Sequence, residues 1–203
     1  MPDRTVLVLE PLGNDPEVGR WLAALEDGRR DTLRELERVT PAMIDRRPDG
    51  PLESIGTILY HVALIEADWV ATEILGLDGP PELAAMLPWP DRRPDGRLTP
   101  IEGLTLDEHL DRLAGVRAFA LDRLRSMSAA EFHRVRSLTE YDVAPDWVIH
   151  HLLQHEAEHR AHIAWIRDTS GPGQGIPRGP AGQTRSTAIA TEPPPPRQRV
   201  ARP

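Results

Sequence analysis

Five of the chain's eight histidines fall within residues 150–166, "HHLLQHEAEHRAHIAWI". His155 and His159 stand four apart, which on a helix places two imidazoles one turn from each other on the same side, the spacing that lets both reach one metal ion. At about 100° per residue, His151, His155, His159 and His162 share an arc of roughly 80°. Val148 and Ile166 lie in that arc too, so the stripe should face the interior of the fold, where neutral imidazoles need partners for their ring nitrogens. His150 points elsewhere and reads as a surface residue. The same letters spell H-E-x-x-H from His155 to His159, in which Glu156 would be the general base of a zinc peptidase. Little else supports that chemistry. His162 comes too early for the longer peptidase pattern, Glu192 is the one acid after Asp168, and no accompanying sheet is visible. Glu156 also sits about 100° round from His155, off the ligand arc. A different metal site and a merely histidine-rich helix both stay open at this point.

Four segments carry the helical period that would position such a stripe. The first, 16–39, opens with Asp15 as cap and a proline at the first helical position. The second runs from the cap Ser54 through 75 and stops at Gly76. The third, 105–127, repeats Leu106, Leu110, Leu113, Val116, Ala120 and Leu124 at spacings of three and four. The fourth, 145–168, starts at Pro145 and is ended by Gly171-Pro172. Only "TVLVLEP" (5–11) alternates like a strand, and one segment makes no sheet. Four amphipathic helices of about 22 residues predict an all-α fold, an antiparallel four-helix bundle. "RRPDG" occurs at 46–50 and at 92–96, repeated turn chemistry and not a domain repeat. The connection 77–103 is long for a bundle and holds six prolines. Its Trp89 should cover something, either a site or the bundle surface.

Composition narrows the function classes. The chain has 203 residues, 39 % hydrophobic and 28 % charged, as for a globular domain. The stretch 171–203, with eight prolines and five glycines, can bury almost nothing, so a folded domain over 1–170 and a disordered tail over 171–203 are expected. That tail carries a charge of +4 out of a total of −8, which leaves the body at −12 and argues against nucleic-acid binding. No apolar run is long enough for a membrane span, and the first residues do not resemble a secretory peptide, so a cytoplasmic protein without membrane partners is the expectation. Cysteine is absent, which removes thiolate ligands and a cysteine nucleophile. Lysine is absent too, and with it Schiff-base chemistry.

His61 sits in the middle of the second helix, in "SIGTILYHVALIEADW", on the face of Ile58, Ile65, Thr72 and Leu75. A lone histidine there is ordinarily structural, but facing helices of a bundle can supply ligands to one site. That segment, followed some 90 residues later by "WVIHHLLQHEAEHRAHI", resembles the DinB-like superfamily over about residues 15–169. The resemblance implies a four-helix bundle that binds a divalent metal (zinc, nickel or iron) through His61, His155 and His159. Many members read H-R-G-Q-I after the last ligand, where this chain has His159-Arg160-Ala161-His162-Ile163. His162 is therefore open as a supporting partner, an alternative ligand or a proton-transfer group. Asp68, seven residues after His61, is a candidate to orient an imidazole or act as a base, against a plain polar contact near the helix end. His109 on the third helix either lines the pocket or is partly exposed. The resemblance further implies a small-molecule substrate, a low-molecular-weight thiol such as mycothiol or bacillithiol as co-substrate for S-transfer or isomerisation, and a homodimer as the assembly to test. A metal-dependent thiol transferase or hydrolase is the leading expectation. A non-catalytic metal- or ligand-binding stress protein is the alternative, with the H-E-x-x-H peptidase behind it.

Overall fold

The computed structural model describes residues 4–48 and 52–170. Four long helices make the frame: α1 (Pro16–Leu36), α3 (Ile55–Asp68), α5 (Leu106–Leu124) and α7 (Pro145–Thr169). Short helices α2 (Pro41–Ile44), α4 (Pro81–Met86) and α6 (Ala129–Phe132) lie in the connections, and β1 (Arg136–Ser137) pairs antiparallel with β2 (Asp142–Val143). α1 packs along α7, while α3 packs along both α5 and α7. The expected all-α four-helix bundle is the observed architecture, and no helix among the described residues is long and apolar enough to cross a membrane.

Local chemistry sets the helix starts. Asp15 caps α1 by accepting from the backbone N–H of Glu17 at 2.9 Å, and its other oxygen accepts from Ala129 N–H at 3.0 Å, tying α1 to α6. Ser54 caps α3 through Thr57 N–H, and Thr105 with Glu108 forms a reciprocal capping box on α5. Val18, Leu22, Ile55, Val116, Leu124, Val148, Ile149, Ile163 and Ile166 are essentially inaccessible and form the core between the helices.

Two boundaries and one helical pitch differ from the periodicity. The first helix ends at Leu36, not 39, because the chain turns into α2, although Val39 stays buried. The third ends at Leu124 instead of 127. The second reaches the expected length but changes pitch, continuing from α3 as a π-helix over Trp69–Ile74. Segment 5–11 forms no strand, and its Val6, Leu7, Val8 and Leu9 are exposed. The one sheet among the described residues is the small hairpin β1–β2, two residues a side and too short for an alternation pattern to register. The tail 171–203 and part of the first "RRPDG" lie outside the described residues.

The 77–103 connection is docked on the bundle. The Tyr60 hydroxyl donates to the Trp89 carbonyl at 2.7 Å and accepts from the Trp89 N–H at 2.9 Å. The two rings pack at 5.6 Å, with the Arg112 guanidinium 5.2 Å from the Tyr60 ring centre. Further along, Ile101 N–H donates to Thr57 Oγ1 at 3.1 Å. Trp89 therefore covers Tyr60, the residue directly before His61.

Candidate metal centre

His61 from α3 and His155 and His159 from α7 converge. The Nε2 atoms of His61 and His155 are 3.1 Å apart, as are those of His155 and His159. One nitrogen from each ring lies within 4.8 Å of the other two. The His61 ring meets both partners edge-on, with 5.0 Å between centres in each case. His61 is buried, and the α7 pair is half-buried, so the group is closed on the bundle side and reachable from the other.

Protons alone do not account for this arrangement. His61 Nδ1 is 2.5 Å from the Asp91 carboxylate, so its proton resides on Nδ1 and its Nε2 presents a lone pair. Burial, followed by the neighbouring His159 and His61, pushes His155 down to about 2. Burial, followed by His61 and His162, pushes His159 down to about 3. Both rings are thus neutral near pH 7. A single Nε2 proton on His155 cannot point at both neighbours, so at least one of the two close nitrogen–nitrogen contacts has no hydrogen bond. A cation shared by the three lone pairs removes that conflict. Two nitrogens at about 2.0–2.1 Å from one tetrahedral ion stand roughly 3.3 Å apart, close to the observed separation. The donor set and its spacing fit a metal ion.

Asp91 is the residue the sequence did not point to. It follows Trp89 in the docked connection and aligns His61 as a carboxylate behind a metal-binding imidazole does. Its other oxygen receives the Arg92 guanidinium at 3.2 Å. The only signal in the sequence was the length of the connection, because a loop's partner on a helix has no fixed spacing. Asp91 orients the His61 imidazole. Asp68 ends α3, where its carboxylate accepts from Thr72 Oγ1 at 3.3 Å.

Other expected positions separate clearly. His162 lies with its ring 5.5 Å from His159 and is half-buried, beside the three-histidine group but not within it. His151 turns to an aromatic cluster, 4.4 Å from the Trp69 ring and 5.2 Å from Trp147. His150 is exposed and meets the Trp21 ring edge-on at 6.4 Å. His109 is a correction, being 1 % exposed where partial exposure was expected. It packs on Gly56, whose missing side chain makes room: a Cβ there would stand 3.0 Å from His109 Nε2. Neither of its ring nitrogens has a hydrogen-bond partner among the described residues.

Glu156 is not merely idle. Its carboxylate accepts from Arg29 Nε at 2.7 Å and from Arg117 Nη2 at 3.2 Å. Glu66 completes the group, accepting from Arg29 at 2.7 Å and from Arg117 Nε at 2.5 Å. Burial pushes the Glu66 carboxyl up, but Arg117 and Arg29 outweigh it and hold it below the usual range. These four buried side chains come from α1, α3, α5 and α7, one from each long helix. Spent on two arginines in the core, Glu156 faces away from the imidazoles and is not placed as a peptidase base.

No curated protein matches the chain. A family model described as the DinB superfamily matches residues 24–163, well over half the chain and a span that contains His61, Asp91, His155 and His159. The chain belongs to the DinB superfamily.

Proposed function

We propose that the protein is a metal-dependent enzyme whose centre is held by His61, His155 and His159, and that it activates a low-molecular-weight thiol or a water for attack on a small-molecule substrate. The observation that carries this reading is the convergence of three imidazoles, with the Nε2 of His155 3.1 Å from the Nε2 atoms of both His61 and His159. Three imidazoles leave coordination positions for an exogenous ligand, unlike a closed structural site. A divalent ion bound there, zinc, nickel or iron, supplies the Lewis acidity that brings a coordinated thiol or water toward deprotonation at neutral pH. The protein's own groups do the rest. Asp91 holds the His61 tautomer, the bundle closes one side of the site, and half-buried His162, its ring 5.5 Å from that of His159, is our candidate to pass a proton between the site and solvent. With no cysteine in the chain, a reacting thiol must arrive as co-substrate.

The test starts with metal content in untagged protein. Wild type is expected to hold about one ion per chain, and His61→Ala and His155→Ala to lose most of it. Stoichiometric metal in both variants would overturn the site. Turnover of chlorodinitrobenzene with a panel of thiols, dependent on the metal, is the expected second result. Metal retained without turnover on any thiol would leave a non-catalytic metal- or small-ligand-binding protein.

A further inference from the structure

Trp147, His151 and His155 recur every four residues on α7, so their rings climb one face of the helix toward the three-histidine centre. Trp147 and His151 are stacked 5.2 Å apart and only 5° from parallel. Trp69, the first residue of the π-helix that extends α3, stacks on His151 at 4.4 Å and on Trp147 at 5.8 Å. His151 in turn lies 6.2 Å from the His155 ring. Trp147 is the outermost ring, 43 % exposed. It forms one wall of a cavity of about 310 Å³ whose other walls are Tyr141, Asp142, Val143 and Ala144. That volume is at the small end of the range for ligand pockets.

We propose that Trp147, His151 and Trp69 form a recognition subsite for a planar aromatic or heteroaromatic ring of the substrate, with the ring on Trp147 about two helical turns along α7 from His155. The rings already present lie in near-parallel planes, and a further flat ring on Trp147 continues that stack with the offset geometry aromatic pairs favour. The remaining cavity walls are mainly apolar, which suits a neutral ring. The carboxylate of Asp142 is the one charged group among them, which favours a ring carrying an N–H or O–H donor. His151 lies between this ring position and His155, so a substituent on the bound ring is directed along α7 toward the imidazoles. Burial holds the pKa of His151 below its ordinary value and keeps it a neutral stacking surface. Trp69 stands where α3 passes into the π-helix, with its ring against α7. The proposal rests on the metal-centre reading only for what the substituent meets; ring binding itself needs no metal.

The experiment uses the full chain, with and without added zinc, and two probes. 2-Naphthol has a flat fused ring with an O–H donor, while decahydro-2-naphthol has the same hydroxyl on a puckered fused ring. The indole N–H resonances of the five tryptophans report the position of binding. Saturable shifts at Trp69 and Trp147 with 2-naphthol are expected, and at least about ten-fold weaker binding of decahydro-2-naphthol. Trp147→Leu, which keeps apolar bulk without a flat face, is expected to weaken 2-naphthol about ten-fold, whereas Trp147→Phe stays within about three-fold. Shifts confined to Trp21, Trp89 or Trp165, equal affinity for the two probes, or full affinity in folded Trp147→Leu would each overturn the subsite. If Trp147→Leu does not fold, the wild-type shifts and Trp147→Phe decide the matter. Shifts at Trp147 in a protein that binds no metal would uphold the subsite and overturn the metal-centre reading alone.

Discussion

His61 can offer Nε2 to an ion only while its Nδ1 carries the proton, and Asp91 at 2.5 Å is what keeps it there. Removing the carboxylate leaves the imidazole free to change tautomer and to rotate. Asp91→Ala should therefore weaken metal binding by about 10- to 100-fold while the bundle stays folded, read by competition with a chromogenic chelator. Asp68→Ala should leave that affinity within about two-fold. His109 makes a separate point about pH. Burial, followed by the nearby Arg112 charge, pushes it down to about 4 from an ordinary 6.5. Its folded-state value is the lower one, so between pH 6.5 and 4 the unfolded chain binds more protons. Stability must then fall as pH drops through that window. In metal-loaded protein, His109→Leu should flatten part of the acid loss in thermal melts, an effect of up to roughly 2–3 kcal/mol. An unchanged acid profile in the variant would mean that His109 is solvated in the folded protein.

The 77–103 connection supplies Asp91, so the way it is anchored belongs to the site's energetics. Tyr60 holds Trp89 by two hydrogen bonds, and Thr57 holds Ile101, both from the helix that also bears His61. Tyr60→Phe removes both contacts to Trp89 and costs about 1–3 kcal/mol of docking free energy. The expected outcome is faster proteolysis within 87–98 and faster loss of metal to a chelator, with the helical signal unchanged. The length of this segment and its Trp89 already suggested a covering element. Asp91 was not legible, because a salt bridge between a loop and a helix 30 residues away leaves no period in the sequence. The π-helix at Trp69–Ile74 was hidden for a related reason: its pattern of apolar residues still reads as one continuous helix.

Across the whole molecule, Arg29, Glu66, Arg117 and Glu156 join all four long helices through one buried ion cluster, to which Glu26 adds a partly exposed partner for Arg117. Such a cluster adds little compared with apolar packing, but removing one member strands an opposing charge in the core. Glu156→Ala should lower the unfolding free energy by about 3–5 kcal/mol in urea. Metal per folded chain should remain at the wild-type level. Loss of metal at unchanged stability would instead place Glu156 at the centre and reopen the peptidase reading. Glu66 on α3 and Glu156 on α7 share the same two arginines, Arg29 and Arg117, which keeps His61 on α3 in register with His155 and His159 on α7.

The elements and the histidine stripe were readable from the chain because they are local quantities. Caps, apolar period and the four-residue spacing of imidazoles all act within one or two helical turns. Joined to the resemblance carried by His61, they anticipated the bundle and the three histidines the structure brings together. The partners of charged and aromatic groups were not readable. On a helical wheel Glu156 looks like any solvent-facing acid, yet its partner Arg29 is 127 residues away. His151 belongs to the same stripe as His155, yet its ring stacks on Trp69 across the bundle, a contact that no spacing within α7 foretells. Local spacing decides which side of a helix a residue occupies, whereas the packing of the four helices decides what meets it there.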